Sequence, residues 1–320
     1  MNYTVEEFYY HGFDDTPIYT KCWRKDKPKA IIQIAHGLGE IAEYYSEFAC
    51  KAVEQGYAVY INEKRGQGRT GGKKYAGNPG KNSLHKMVED IHSLTNIVNE
   101  TYKGIPIYLI GHSLGAILVQ LYAEKYKKLI SGVVLIGLPK IKNTHELYET
   151  VIKEIKEKGE KSPSQETFVK MFSSVNTPFE PVKTALDWIT TDDEKIEQFM
   201  ELSYTNVLYS NEFYKDFIGA LIETQKVEFI EKFPKELPIL LLAGSEDVLN
   251  DNGVLVKRHC MELIKIGVKD AKYNIYEKMR HSLLQEKNRN LVEKDIISWI
   301  KAINLQKDRK AIYEIKMDMV

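Results

Sequence analysis

Short runs rich in β-branched and aromatic residues alternate with longer stretches of helical periodicity through most of this chain. Residues 3–10 and 17–24 read as an antiparallel pair around a turn at 12–15. The run AIIQIA at 30–35 is apolar except for Gln33, as expected of a strand covered on both faces. A helix is predicted over 44–55, ended by Gly56, then a strand over 57–61 and a glycine-rich loop over 63–80. Asn82 is placed to cap a helix that runs to about 102. A strand over 106–110 then passes through residues 111–115 into a helix ending near 126, and a strand over 132–136 follows. Strands alternating with helices in this way predict the α/β class, with a mostly parallel central sheet flanked by helices.

The rhythm stops at about residue 140. From there to 211 only helical periodicity with many charges is visible, so this segment is expected to be a helical cap inserted into a core made of residues 1–139 and 212–320. A helix over 212–229 returns the chain to the sheet. A strand over 238–243, a helix over 253–266, a strand over 271–276 and a closing helix over 290–303 complete it, with 304–320 left as a tail of no assigned role. The chain shows no internal repeat.

Composition narrows the possibilities. At 320 residues, 43% of them hydrophobic and 28% charged, the chain can bury a large core and is not of a disordered type. Forty-five basic side chains balance 45 acidic ones, so no net field favours nucleic acid. Cys22, Cys50 and Cys260 are scattered without metal-ligand spacing, which argues against a disulfide framework or a zinc site and suits a reducing cytoplasm. The first ten residues lack the basic and apolar regions of a secretory signal. The most apolar stretch, 105–123, is broken by His112, Ser113 and Gln120, so no stable membrane insertion is expected.

Chemistry concentrates at GHSLG, residues 111–115, which has the G-x-S-x-G form of a nucleophile elbow. Chance would supply that pentapeptide in roughly one chain in ten of this length, but here it joins an apolar strand to a helix, the context the elbow requires. Ser113 is therefore the expected nucleophile. A serine hydroxyl needs a base to take its proton and an acid to orient that base, and on such a fold they follow in the order Ser, acid, His. Beyond the late strand only two histidines remain. His259 falls inside a helical pattern beside Lys257 and Arg258 and reads as a helix-surface residue. His281 follows the last strand and precedes the closing helix, on the sheet edge where open α/β sheets bind ligands. Asp247 leaves the strand PILLLAG at the same edge and is the expected acid, with Asp251 as runner-up and Glu246 turned elsewhere. The developing negative oxygen needs backbone donors, expected from Leu114 and from Leu38 in the loop HGLGE.

Taken together, HGLGE at 36, KRGQG at 64, GHSLG at 111, LLLAGSED at 240 and RHSLL at 280 resemble the monoacylglycerol lipase and lysophospholipase branch of the α/β-hydrolases, related to the serine aminopeptidases. The likeness covers roughly residues 10–303. It implies a triad of Ser113, Asp247 and His281, an oxyanion hole at Leu38 and Leu114, and a lid over an acyl pocket. It also implies a small amphiphilic ester or lysolipid as substrate, and no cofactor or metal. Three positions depart from the family pattern: Ile41 where a histidine is usual, Glu63 for aspartate and Gln67 for histidine. They put a local polar network and the substrate range in question.

Within the insertion, Phe168, Phe172, Phe179, Trp188, Phe199, Tyr204 and Tyr209, with Phe213 just beyond, are candidates to line the pocket, although aromatics of a helical cap more often form its own core. The run KEIKEKGEK at 153–161 reads as a solvated helix face. Two other readings stay open: an aminopeptidase-like enzyme, which would need an acidic cluster such as Glu194 and Glu197 at the pocket, and a non-catalytic ligand-binding protein. Nothing in the sequence sets the oligomeric state.

Overall fold

The computed structural model describes residues 3–201 and 207–317. Eight strands among them form one sheet: β1 (Thr4–His11), β2 (Pro17–Arg24), β3 (Ile31–Ala35), β4 (Ala58–Asn62), β5 (Ile107–His112), β6 (Gly132–Ile136), β7 (Ile239–Gly244) and β8 (Ala271–Tyr276). Their spatial order is β1-β2-β4-β3-β5-β6-β7-β8, antiparallel as far as β4 and parallel from β4 to β8. Around it lie α1 (Ser46–Glu54), α2 (Gly68–Gly71), α3 (Ser83–Thr101), α4 (Leu114–Tyr126), α5 (Thr144–Lys158), α6 (Gln165–Phe172), α7 (Asp193–Glu201), α8 (Asn211–Thr224), α9 (Val227–Glu231), α10 (Val254–Lys265) and α11 (Arg289–Met317).

The pleat explains why the central strands are apolar at nearly every position. Along β3, Ile31 and Ala35 join the cluster formed with α3 and α4, while Ile32 and Ile34 join the opposite cluster with α1 and α11. The polar member, Gln33, is buried and satisfied: its amide donates to the Ile91 carbonyl at 3.0 Å and accepts from the Thr95 hydroxyl at 2.9 Å. Because the parallel strands all end at the same edge, the loops after β3, β5, β7 and β8 are brought together there. The helices α5, α6 and α7, between β6 and α8, contribute no strand to the sheet and make up the helical cap.

Several local expectations need correction. Asn82 does not cap α3 with its side chain; it adopts a left-handed conformation (φ 54°). Asp216 of α8 takes over, accepting from the Ser83 N–H at 2.7 Å and hydroxyl at 2.9 Å. The helix expected over 212–229 is two, because Lys226 turns to extended backbone between α8 and α9. The closing helix continues to Met317, so most of the expected tail is helical.

A buried ion pair ties the loop after β4 to α3. Arg65 is held by Asp90 through two bonds, Nε to Oδ2 at 2.6 Å and Nη2 to Oδ1 at 2.8 Å, and also reaches Asp14 at 2.8 Å. Asp90 further accepts from the Phe13 N–H at 2.8 Å, which anchors the β1–β2 turn. Removing one member strands a buried charge, which costs about 3–5 kcal/mol. Asp90→Ala is therefore expected to lower the free energy of urea unfolding by about 3 kcal/mol, and a loss within 0.5 kcal/mol or so of zero would mean that Asp14 alone satisfies the guanidinium.

Candidate active site

The turn between β5 and α4 is built by sterics. Ser113 sits at φ 52° and ψ −116°, a conformation rarely adopted by a residue with a side chain. It is held there by its N–H, which donates to the Ile136 carbonyl at 3.0 Å, and by its own carbonyl, which accepts from Ala116 N–H at 2.9 Å. A Cβ on Gly115 would lie 1.8 Å from the Ala35 carbonyl oxygen, and one on Gly111 would lie 2.4 Å from that of Gly115. Both glycines are thus required by backbone approaching backbone. Leu114 opens α4, where the first N–H groups of a helix have no intrahelical acceptor and remain free for a ligand.

Asp247 is fully buried after β7. Its Oδ1 accepts from the Leu249 N–H at 3.0 Å, capping a short 3-10 turn, and both its oxygens lie 3.0 Å from His281 Nδ1. His281 is buried as well, and its Nε2 has no protein partner. Asp251 is exposed, and Glu246 stands 3.8 Å from Arg280. His259 differs from the sequence expectation. It is buried on the inner face of α10 together with Leu255, Val256, Cys260 and Leu263, a helical spacing its charged neighbours obscured, and it faces Glu262 at 3.6 Å.

The loop after β3 is braced from below. Glu40 accepts from the Gly37 N–H at 2.5 Å and the Tyr45 hydroxyl at 2.6 Å, and faces His112 Nδ1 at 2.9 Å. Gln67 accepts from the Gly39 N–H at 3.0 Å. Glu63 accepts from the N–H groups of Ala42 (3.2 Å) and Arg69 (2.5 Å) and from the Arg69 guanidinium at 2.8 Å. Ile41 is buried and packs towards Gly68. Of the three departures, Gln67 and Glu63 carry part of this network, although the buried Gln67 Nε2 has no partner in it, and Ile41 packs beside it.

A cavity of about 630 Å³ opens over these loops, lined by Leu38, Ser113 and His281 at its base and by cap residues above. Of the aromatic candidates, Phe172, Trp188, Phe199 and Tyr209 line it, and Phe168 does so at 38% exposure, near the mouth. Trp188 lies 5.1 Å from the His281 ring. Phe179 is not among the lining residues; its ring is covered by the Arg280 guanidinium at 4.1 Å. Phe213 is buried behind the wall, and Tyr204 lies outside the described residues. Tyr214 and Phe217 of α8 line the cavity and were missed, though their spacing from Phe213 on one amphipathic helix is the signal that marks such a wall. Glu194 and Glu197 are exposed and absent from the lining, where the one carboxylate among the described residues is the engaged Glu40. No cluster of three potential metal ligands, and no helix long and apolar enough to cross a membrane, occurs among the described residues.

A profile of the serine aminopeptidase S33 family matches residues 26–288. The chain belongs to this family of α/β-hydrolases. It is 24% identical over 299 residues to a monoacylglycerol lipase of Mycolicibacterium smegmatis, a match covering 93% of this chain and 97% of that one. It superposes with a TM-score of 0.86 on a thermostable carboxyl esterase of Bacillus coagulans in complex with glycerol, 25% identical, over 94% of this chain and 99% of that one. It also shares the fold of the monoglyceride lipase of Saccharomyces cerevisiae, with a TM-score of 0.70 at 21% identity, over 94% and 96% of the two chains.

In this hydrolase the cap is bonded directly to the loop that carries His281. The Ser282 N–H donates to the Ile189 carbonyl at 2.7 Å, the Thr190 hydroxyl donates to the Gln285 carbonyl at 3.0 Å, and Arg280 donates to the Asp187 carbonyl at 2.5 Å. Buried Glu286 accepts from the Arg280 N–H at 2.7 Å and from the N–H and hydroxyl of Thr191. The other end of the cap is fixed by Glu154, which contrary to expectation is not on a solvated face. Its carboxylate is buried and caps α6, accepting from the Ser164 hydroxyl (2.7 Å), the Thr167 hydroxyl (2.7 Å) and the N–H groups of Glu166 and Thr167 (both 3.1 Å). Burial by itself would raise its pKa, but these bonds outweigh burial and hold it at about 2.

A group whose pKa is depressed in the folded protein stabilises it above the unfolded value, about 4.3 for glutamate, and loses that contribution as pH falls towards 2. Glu154→Gln is accordingly expected to melt below the parent at neutral pH by a margin that shrinks from about pH 4 downward. Thermal melts of both proteins across that range test it, and a margin independent of pH would remove the charge from the explanation.

Proposed function

We propose that the protein hydrolyses carboxylic esters bearing one long acyl chain, monoacylglycerols foremost, through an acyl-enzyme on Ser113. The observation that carries this reading is the unpartnered His281 Nε2, oriented from behind by Asp247 and facing the same apolar cavity as Ser113. His281 takes the hydroxyl proton as Ser113 attacks the ester carbonyl, and Asp247 keeps Nδ1 protonated and stabilises the imidazolium. The oxygen that becomes negative is met by the N–H groups of Leu38 and Leu114. His281 then gives its proton to the departing glycerol oxygen. Water, deprotonated by the same nitrogen, attacks the acyl carbonyl, and the fatty acid leaves as Ser113 recovers its proton.

Residues 140–211 act as the cap that shapes the acyl site. Its volume falls in the range of small-molecule pockets, and the acyl chain is given the wall of Phe172, Phe199, Tyr214 and Phe217. The names of the relatives support an ester over an amine substrate. So does the exposure of Glu194 and Glu197, since an aminopeptidase would direct a free carboxylate at the substrate's ammonium. Three unpaired thiols suit a reducing compartment.

Ser113→Ala is expected to reduce ester turnover on the order of 10⁵-fold or more and to abolish labelling by a fluorophosphonate, with the melting temperature retained; labelling that persists would put the nucleophile elsewhere. Phe172→Ala removes apolar surface worth about 1–2 kcal/mol, so kcat/KM on a long-chain monoacylglycerol is expected to fall roughly ten-fold, while a two-carbon p-nitrophenyl ester changes little. Equal losses on both esters would take the acyl chain out of that wall.

A further inference from the structure

His112, the second residue of the elbow, is a buried titratable group that the proposed reaction leaves idle. Both of its ring nitrogens meet oxygen atoms. Nδ1 lies 2.9 Å from Oε1 of Glu40, and Nε2 lies 3.2 Å from the carbonyl oxygen of His281. A carbonyl only accepts, so Nε2 carries a proton; Glu40 accepts from the Gly37 N–H and the Tyr45 hydroxyl on Oε2, both short enough to be charge-assisted, which leaves Oε1 to face Nδ1. With Glu40 ionised, a neutral imidazole, which carries a single N–H, would turn a lone pair on one of these oxygens between buried side chains.

We infer that His112 is held as an imidazolium, a positioning residue that clamps the loop carrying Leu38 to the loop carrying His281 while its own neighbour in the chain is Ser113. The role of the clamp rests on the triad proposed above; the protonation state does not. Burial opposes a charge on His112, but the Glu40 carboxylate, the bonds to Glu40 and to the His281 carbonyl, and the more distant Asp247 raise its pKa overall. Glu40, which burial would push up, is brought to about 2 chiefly by His112 and Tyr45. The other groups that face this cluster are His36 and Lys64, from the loops after β3 and β4. Burial and Lys64 bring His36 to about 3, and burial pushes Lys64 well below the usual lysine range, with its amine donating to the His36 carbonyl. One proton and one negative charge are therefore shared between Glu40 and His112. Since the histidine's pKa is raised, the clamp is present below that pKa and is lost as pH rises through it.

Long-range ¹H–¹⁵N spectra of the whole protein labelled at histidine nitrogens test this, with His112 assigned by the signals missing in His112→Gln. Both His112 nitrogens are expected to show protonated shifts near neutral pH. In Glu40→Gln one of the two nitrogens should become bare at neutral pH. In that variant kcat on a short p-nitrophenyl ester should fall on the order of ten-fold with KM within about two-fold, and Glu40→Asp should restore both the signature and part of kcat. A neutral His112 in the parent protein near pH 7 overturns the imidazolium, and that spectrum decides even if the variants fail to fold. An unchanged kcat in a folded Glu40→Gln that has lost the signature overturns the clamp. Fluorophosphonate labelling of the parent separates these results from the hydrolase reading, which fails only if Ser113 stays unlabelled.

Discussion

The arrangement depends on a close approach of two backbones, where α4 begins at Gly115 against the end of β3 at Ala35, with no room for a single carbon between them. That contact sets how far the elbow projects from the sheet and how near it stands to the loop that follows β3. Were α4 to sit one side-chain width further out, Leu114 at its start would move away from the loop after β3. Ser113 pays for the arrangement with a positive φ, a strain of about 1–3 kcal/mol carried by the sheet because its neighbours β3 and β6 fix both flanks. The same reasoning explains why glycine is needed at 111 and 115, while position 112 carries a side chain with a structural task of its own.

Beneath that contact the polar residues are matched as a set. Relative to the usual family pattern, Glu63 is one methylene longer than aspartate. The added reach lets it engage the Ala42 N–H and the N–H and guanidinium of Arg69 together. Gln67 presents an amide oxygen to the Gly39 N–H, which a neutral group does without adding charge to a cluster that already contains Lys64, His36, Glu40 and His112. Ile41 fills its position with apolar contact instead of a third imidazole. Buried ionisable groups are costly unless paired, and those beneath this loop, Glu40, Glu63, His36, Lys64 and His112, each have a partner.

Much of this was readable in the sequence because it follows from short-range rules. The parallel strands declared themselves by apolar runs, the elbow by two glycines at fixed spacing, and the pairing of Asp247 with His281 by chain order on a recognised sheet; their hydrogen bond is what such an order predicts. What escaped depended on partners far away in the chain. Glu154 reads as one charge in an alternating run, and only the fold of α6 beneath it reveals a cap. His259 reads as exposed because Lys257 and Arg258 flank it, although its position on α10 turns it inward. Phe179 reads as pocket lining until Arg280, a hundred residues later, covers its ring. Asn82 has the right type for a cap, but a left-handed backbone points it away and Asp216 does the work. In each case local chemistry offered a plausible role and tertiary packing assigned another.

The bonds between the cap and the histidine loop bear on how substrate and chemistry are joined. Residues on both sides of His281, Arg280 and Ser282, are bonded to cap residues 187–190, and Glu286 holds Arg280 and Thr191 on one carboxylate. These bonds couple that segment of the cap to the imidazole and its bond to Asp247, whereas Phe168, Val169 and Leu208 line the cavity while exposed. Trp188, at the inner side of this cavity, has its ring beside His281. On the function proposed above, an acyl chain that fills the apolar wall contacts the same segment that holds His281, so that binding energy gained far from the ester would steady the group proposed to move the proton.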